Sequence, residues 1–335
     1  MMFGSRQGLE FLAKSKILLM DGNFKMAPPQ FNQVYVFRVP FKGSAVSCAY
    51  ALLQNKARRT YTECFNALVN ELEDLGLEMV VEKVITDFEI AVVKAVQSAF
   101  GPGLHQGCFF HFTQSTWRKI SKLGHAELYK EDAEFRQYCC MLDALALLPL
   151  DKVKDGLAYL REIMPCDEAE ELTKYFDETY VNGVYKVRNV GTTPDGLPIN
   201  RIVHTPPLFP PELWNVHLPT LSDDPRTNNL CEGWNNWLKN FVRQLHPHLY
   251  NLIDALKTDN YLFKNVLLRD SVGSPPRLKR NRKREIAQRR LRNLCLEIQQ
   301  RHRSMEDFLH AAGFNIRMYL PREEDEVDEE EEDDD

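Results

Sequence analysis

The sequence predicts an α/β fold, and two observations carry that reading. Strand-like and helix-like hydrophobic patterns alternate through the first hundred residues, which an all-α or all-β chain does not do. The chain has 335 residues, 44% of them apolar and 10% aromatic, enough to bury a sizeable core in one large domain or two moderate ones.

Residues 16–21 are a short apolar run ending in an acid. Residues 33–41 and 45–53 are two β-rich segments joined by Pro40-Phe41-Lys42-Gly43-Ser44, a hairpin connection. Residues 60–75 switch to helical spacing, with Phe65, Leu68, Val69 and Leu72 on one face and Thr60 or Thr62 as the cap. Residues 79–85 read as a strand running into Thr86-Asp87. Residues 89–100 read as a helix on Ile90, Val93, Val96 and Phe100, stopped by Gly101-Pro102. Residues 103–110 are expected to be a fifth strand.

From residue 112 to about 180 the pattern is helical, with breaks at Gly124, Pro149 and Pro165 and with Asp151 and Asp167 placed as helix starts. Residues 182–225 are rich in proline and poor in periodic apolar positions, so a long ordered loop or extended connection is expected. Helices resume near Asn228 and run, with a break at Pro247, to Asp270. A turn-like linker, a basic helix, a last helix and an acidic tail expected to be disordered complete the chain.

The net charge of −6 is unevenly placed. Residues 323–335 hold 12 acids among 13, so residues 1–322 are net positive, with 42 bases against 36 acids. Nine bases (Arg277, Lys279, Arg280, Arg282, Lys283, Arg284, Arg289, Arg290 and Arg292) face one acid, Glu285, within residues 277–292. Such a run suits a phosphate-binding stretch, a nuclear import signal or a solvated helix. No apolar run approaches the roughly 20 residues of a membrane-spanning helix, no secretory signal is evident, and no membrane role is expected. Eight scattered cysteines without a C-x-x-C pair suit a reducing compartment, the cell interior.

Three acids stand where chemistry gathers. Asp21 closes the first expected strand, Asp87 closes the fourth, and Glu232 lies in the first turn of a later helix. Ligands collect beyond the carboxyl ends of strands in an α/β sheet, so the first two face one crevice if their strands are neighbours. An all-oxygen set suits Mg²⁺, and two such ions serve phosphodiester displacement. Each acid also has a plain role: Asp21 before Gly22-Asn23 as a turn former, Asp87 as a helix cap, and Glu232 in capping-box spacing with Asn229. Glu232 lies opposite the apolar stripe of Leu230, Trp234, Trp237, Leu238 and Phe241, which would send it to solvent.

Four blocks in order along residues 16–245 resemble one family. They are Asp21-Gly22-Asn23-Phe24-Lys25 with Ala27-Pro28-Pro29-Gln30-Phe31 and Gln33-Val34-Tyr35; Tyr50-Ala51-Leu52-Leu53-Gln54-Asn55-Lys56 with Thr60-Tyr61; Ile85-Thr86-Asp87-Phe88-Glu89, leading through Ala91 to Cys108-Phe109-Phe110-His111-Phe112; and Thr227-Asn228-Asn229-Leu230-Cys231-Glu232-Gly233-Trp234-Asn235. The set is similar to the Mutator-like element (MULE) transposase domain family of the DDE/RNase H-like superfamily.

The resemblance implies an RNase H-like mixed sheet flanked by helices, with a mostly α-helical insertion before the helix carrying the third acid. It makes Asp21, Asp87 and Glu232 the catalytic, metal-holding DDE triad, with two Mg²⁺ or Mn²⁺ ions as cofactors, DNA as partner, a homo-oligomer as a working form and the nucleus as location. The expected division is residues 1–112 and 227–270 for the core, 113–226 for the insertion and proline-rich connection, 271–300 for the basic helical segment, 301–322 for a C-terminal helix and 323–335 for the tail.

Cys108 and His111 match the family's C-x-x-H feature and can be read as half a zinc site, or as a core cysteine and a hydrogen-bonded histidine; the second reading is favoured and no metal is assigned to them. Trp234 and Trp237 are expected to pack in the core rather than stack on an unpaired base. The zinc-binding recognition module that usually precedes the catalytic domain in this family has no counterpart among the roughly fifteen residues before the first expected strand. Two readings therefore stand: an active metal-dependent transposase core, or a transposase-derived, non-catalytic nuclear protein that binds DNA or chromatin, its acidic tail engaging the basic segment or basic partners such as histones.

Overall fold

The computed structural model describes residues 1–192, 197–274 and 282–316, the side chains of residues 199, 283 and 284 excepted. The acidic tail and Arg277, Lys279 and Arg280 of the basic run lie outside the described residues. The chain opens with β1 (Met2–Gly4) and α1 (Arg6–Ala13), followed by β2 (Ile17–Asn23), β3 (Gln33–Phe41), β4 (Ser44–Leu53), α2 (Arg58–Asp74), β5 (Lys83–Thr86), α3 (Ile90–Ala99), β6 (His105–Gly107) and α4 (Phe109–Lys122). It continues through α5 (Ala126–Glu131), α6 (Ala133–Ala144), α7 (Val153–Glu162), α8 (Glu168–Phe176), β7 (Val184–Thr192), β8 (Pro198–Thr205), α9 (Pro211–Trp214) and α10 (His217–Ser222). The last elements are α11 (Asn229–Val242), α12 (Leu249–Ser271), α13 (Arg282–Gln299) and α14 (Met305–Ile316).

The chain forms two compact units: residues 1–114, 212–214 and 224–281, and residues 115–211, 215–223 and 282–335. The first holds a six-stranded sheet in the order β1-β4-β3-β2-β5-β6. Strands β1 to β4 pair antiparallel through β3, while β2, β5 and β6 run parallel, so the sheet is mixed and the expected α/β class is present. Alternation places Leu18, Met20, Tyr35 and Phe37 on one face, packed with α1, α2 and α3. Leu19, Val34, Val36 and Ile85 lie on the other, packed with Cys231, Trp234 and Leu238 of α11 and Leu252 of α12. Both faces are thus covered, which suits a sheet whose β2-β5-β6 end is parallel.

Local chemistry explains the main joints. Lys42 and Gly43 both have positive φ (47° and 80°), the two-residue turn that matches the twist of paired strands. β4 slips register between Phe37/Ala49 and Arg38/Ser47, leaving Cys48 as the extra residue of a bulge. Gly101, at φ 104°, ends α3 as anticipated.

Several expectations need correction. The strand expected over residues 79–85 is confined to Lys83–Thr86, because residues 79–82 make only scattered backbone bonds, from Val80 to Ala13 and from Glu82 to Lys16. The fifth strand covers only His105–Gly107, and α4 begins at Phe109. Helix α2 starts behind Ala57 with no side-chain cap; Thr62 bonds back to the Arg58 carbonyl and Thr60 to Asn55 instead. The proline-rich connection contains the β7–β8 hairpin and two short helices.

The second unit is mostly helical. Phe135, Tyr138, Leu142, Leu157, Leu160, Leu172, Phe176, Phe308 and Leu309 are buried in it. Asp132 caps α6 by accepting from the N–H groups of Glu134 and Phe135, both at 2.8 Å. Helix α13 buries Ala287, Leu291, Leu294 and Cys295, and Arg292 donates to the Leu221 carbonyl in the last turn of α10. Arg282, Arg289, Arg290 and Arg292 are exposed, so this part of the basic run is one face of a docked helix. Among the described residues no helix is long and apolar enough to cross a membrane.

Candidate active site

The site is built where β2 and β5 end. These strands are parallel neighbours in register at Leu19 and Ile85, and Asp21 and Asp87 each stand two residues further on. The condition for two strand-end acids to share one crevice is therefore met. Asp21 lies within β2 and is only 8% exposed. The Gly22 N–H donates to its Oδ1 at 2.9 Å and the Asn235 side chain to its Oδ2 at 2.8 Å.

Helix α11 brings Glu232 to this crevice. Its start is tied down twice through fully buried Asn228, whose side chain donates to the Met20 carbonyl (2.8 Å) and whose N–H donates to the Cys108 thiol (3.1 Å). Cys231, Trp234 and Leu238 face the sheet; Glu232 points instead toward His111. Glu232 forms no capping box with Asn229, since Asn228 occupies the cap position and the helix start has no side-chain cap. Asp87 does not cap α3 either; Glu89 holds that position without a side-chain bond.

His111 reaches the acids from the first turn of α4. Its Nδ1 lies 2.9 Å from Oδ1 of Asp87 and its Nε2 3.8 Å from Oε1 of Glu232. Burial opposes charge on this ring, but the Asp87 carboxylate, with a smaller contribution from Cys108, outweighs it and raises the His111 pKa well above the ordinary histidine value. Asp21 is raised well above the usual carboxylate range, first by burial, then by the Asp87 and Glu232 charges, with His111 and the Gly22 N–H acting the other way. A histidine favoured in its charged form thus stands beside three carboxyl groups.

Glu89 lines the same hollow as Asp21, Asp87, Gln33 and Phe24. It accepts from Tyr61 Oη (3.0 Å), which accepts from the Gln33 amide (2.7 Å). Sequence reasoning placed Glu89 only as a helix start and did not join His111 to the acids. The usable signals were the two-residue spacing from Asp87 and the first-turn position of His111 on α4.

The chemistry of the donor set fits a hard divalent cation: three carboxylates, one of them buried among like charges and in need of a counter-charge. In the arrangement described the His111 ring supplies that charge, and no three Cys, His, Asp or Glu side chains among the described residues are disposed to hold an ion. Cys108 is fully buried and occupied with the Asn228 N–H. Trp234 is a core residue stacked on Tyr50, and both donate to Asp259 at 2.6 Å. Trp237 is partly buried, whereas Phe241, expected on the same apolar stripe, is 48% exposed and stacks on Trp237.

No curated protein matches the chain. Residues 17–115 match the family model of the MULE transposase domain, a segment that contains Asp21, Asp87, Cys108 and His111 and leaves Glu232 beyond its end. Over residues 17–115, which run from β2 into α4, the chain is similar to the MULE transposase domain.

Proposed function

We propose that the chain is the catalytic core of a DNA transposase, in which Asp21, Asp87 and Glu232 hold two Mg²⁺ or Mn²⁺ ions. The observation that carries this reading is the convergence of acids from three separate elements on one crevice, two of them inside the segment that matches the transposase domain. When bound, the ions supply activation of a water or 3′ hydroxyl and stabilisation of the leaving oxygen in phosphodiester displacement. The chain's own residues do the positioning. Gly22 and Asn235 fix the two oxygens of Asp21, Asn228 fixes the start of α11, and His111 holds Asp87 and Glu232 against repulsion while no ion is bound.

DNA is the partner that this chemistry and the exposed cations of α13 suit, and the basic run also suits nuclear import. The seating of His111 between Asp87 and Glu232 favours a second reading, a transposase-derived nuclear protein that binds DNA without cutting it. Cleavage of end-labelled duplex DNA in Mg²⁺ or Mn²⁺ separates the two. Cutting that Asp21→Asn, Asp87→Asn and Glu232→Gln each abolish supports the enzyme. Metal-independent binding without cutting on any substrate, including candidate terminal repeats, supports the second reading.

A further inference from the structure

The β7–β8 hairpin is built as a ribbon with two unlike faces. Antiparallel register sets Tyr185 opposite His204 and Val187 opposite Ile202 on one face. It sets Lys186 opposite Val203 and Arg188 opposite Arg201 on the other. Its base is anchored: His204 Nε2 lies 2.6 Å from the Asn182 carbonyl, and Gly183, at φ 76°, packs where a Cβ would strike the Thr205 carbonyl and Pro206. Beyond that base Tyr185, Val187 and Ile202 are 69%, 67% and 70% exposed on one face, and Lys186, Arg188 and Arg201 are exposed on the other, beside half-buried Val203.

A two-stranded ribbon standing clear of a core is marginal by itself, and like charges placed directly across strands weaken it further. Arg188 and Arg201 are such a pair. Both are exposed, no acid stands on either strand, and Lys186, Arg188 and Arg201 form no ion pair among the described residues; Asp195, in the connection, lies outside them. Three cations on one face of a narrow ribbon are complementary to closely spaced anions on a single ligand. A two-stranded ribbon is also of a width that the major groove of duplex DNA admits.

We propose that the β7–β8 ribbon is a DNA-binding element, its Lys186, Arg188 and Arg201 face lying against the phosphates of a duplex. The proposal rests on the reading of the chain as a protein that acts on DNA. The contact is to the sugar–phosphate backbone and serves to position the duplex rather than to read its sequence.

The test uses the full chain and a short mixed-sequence duplex, with affinity measured by fluorescence anisotropy over a range of salt. The variant Lys186→Gln/Arg188→Gln/Arg201→Gln is expected to bind roughly 10-fold weaker or worse near physiological salt, and to lose about 2–3 from the slope of log affinity against log salt, at about 0.9 per phosphate contact. Its circular dichroism and melting midpoint should match the parent. Tyr185→Ser/Val187→Ser/Ile202→Ser, on the opposite face, should keep the parental slope.

A parent that binds duplex while the cation variant matches it in affinity and slope overturns the ribbon proposal and leaves the DNA reading standing. A parent that binds no duplex at low salt overturns both. If only the apolar-face variant loses affinity, together with a self-associated species seen by sedimentation, the ribbon is a protein-binding surface and the proposal is wrong.

Discussion

Asp21 sits buried among like charges, and its raised pKa has a definite sign. A carboxylate whose folded pKa exceeds its unfolded value favours folding below the unfolded pKa, near 4, and loses that contribution as pH rises through the folded pKa. In ion-free buffer above the unfolded pKa the buried Asp21 carboxyl is therefore a cost, and Asp21→Asn is expected to melt a few degrees above the parent, at roughly 2–4 °C per kcal/mol for a domain of this size. The gap should widen between pH 4 and 7; a variant less stable than the parent across that range would show that the Asn235 and Gly22 bonds outweigh the repulsion.

His105 carries the opposite shift. Thr86 Oγ1 donates to the Asp87 carbonyl, so at 2.6 Å from His105 it accepts from Nε2–H and leaves buried Nδ1 bare. A second proton would have no acceptor, and burial lowers the pKa to about 4, with Asp87 only partly opposing. Stability from neutral His105 is complete above pH 6.5 and is lost as pH falls toward about 4. The ring should titrate near pH 4 by NMR; titration above pH 6 would refute this account of β6.

At the level of elements, the seating of α11 decides whether Glu232 belongs to the site. Asn228→Ala removes the donor to the Met20 carbonyl in a fully buried position, and is expected to cost about 1–3 kcal/mol in urea unfolding while lowering cleavage. Helix α1 offers an independent test of packing on β4. A Cβ on Gly8 would meet the Cys48 carbonyl at 2.5 Å, so Gly8→Ala should destabilise by about 1–3 kcal/mol despite the ~1 kcal/mol gain in helix propensity; a stabilised variant would contradict this packing.

Elements packed into the core were legible in the sequence, the strands burying both faces and the helices one. β2, β3, β4, α2 and α3 each bury a periodic apolar set, and Asp21 and Asp87 were placed at strand ends by the same pattern. The β7–β8 hairpin was not legible because both of its faces are exposed, which removes the contrast that periodicity detects. β1 and α1 escaped notice because three and eight residues are too few for a hydrophobic period to show. The adjacency of β2 and β5, paired across more than sixty residues of chain, and the reach of His111 to Asp87 are tertiary facts.

Over the whole molecule, charge is the organising asymmetry: 12 acids in residues 323–335 against a net-positive remainder. If the tail competes with DNA for exposed cations such as Arg289 and Arg290, its deletion should tighten duplex binding at low salt and leave binding unchanged at high salt. Equal affinity with and without the tail, at every salt concentration, would remove the tail from the account.

The central claim is that Asp21, Asp87 and Glu232 act as one cation site, and thermal unfolding with and without Mn²⁺ tests it most directly. The account predicts that the parent's midpoint rises with Mn²⁺ concentration, as for any ligand bound to the folded state alone. Asp21→Asn, Asp87→Asn and Glu232→Gln should each remove that rise while remaining folded. A parent indifferent to Mn²⁺, or a rise that persists in all three variants, would contradict the claim.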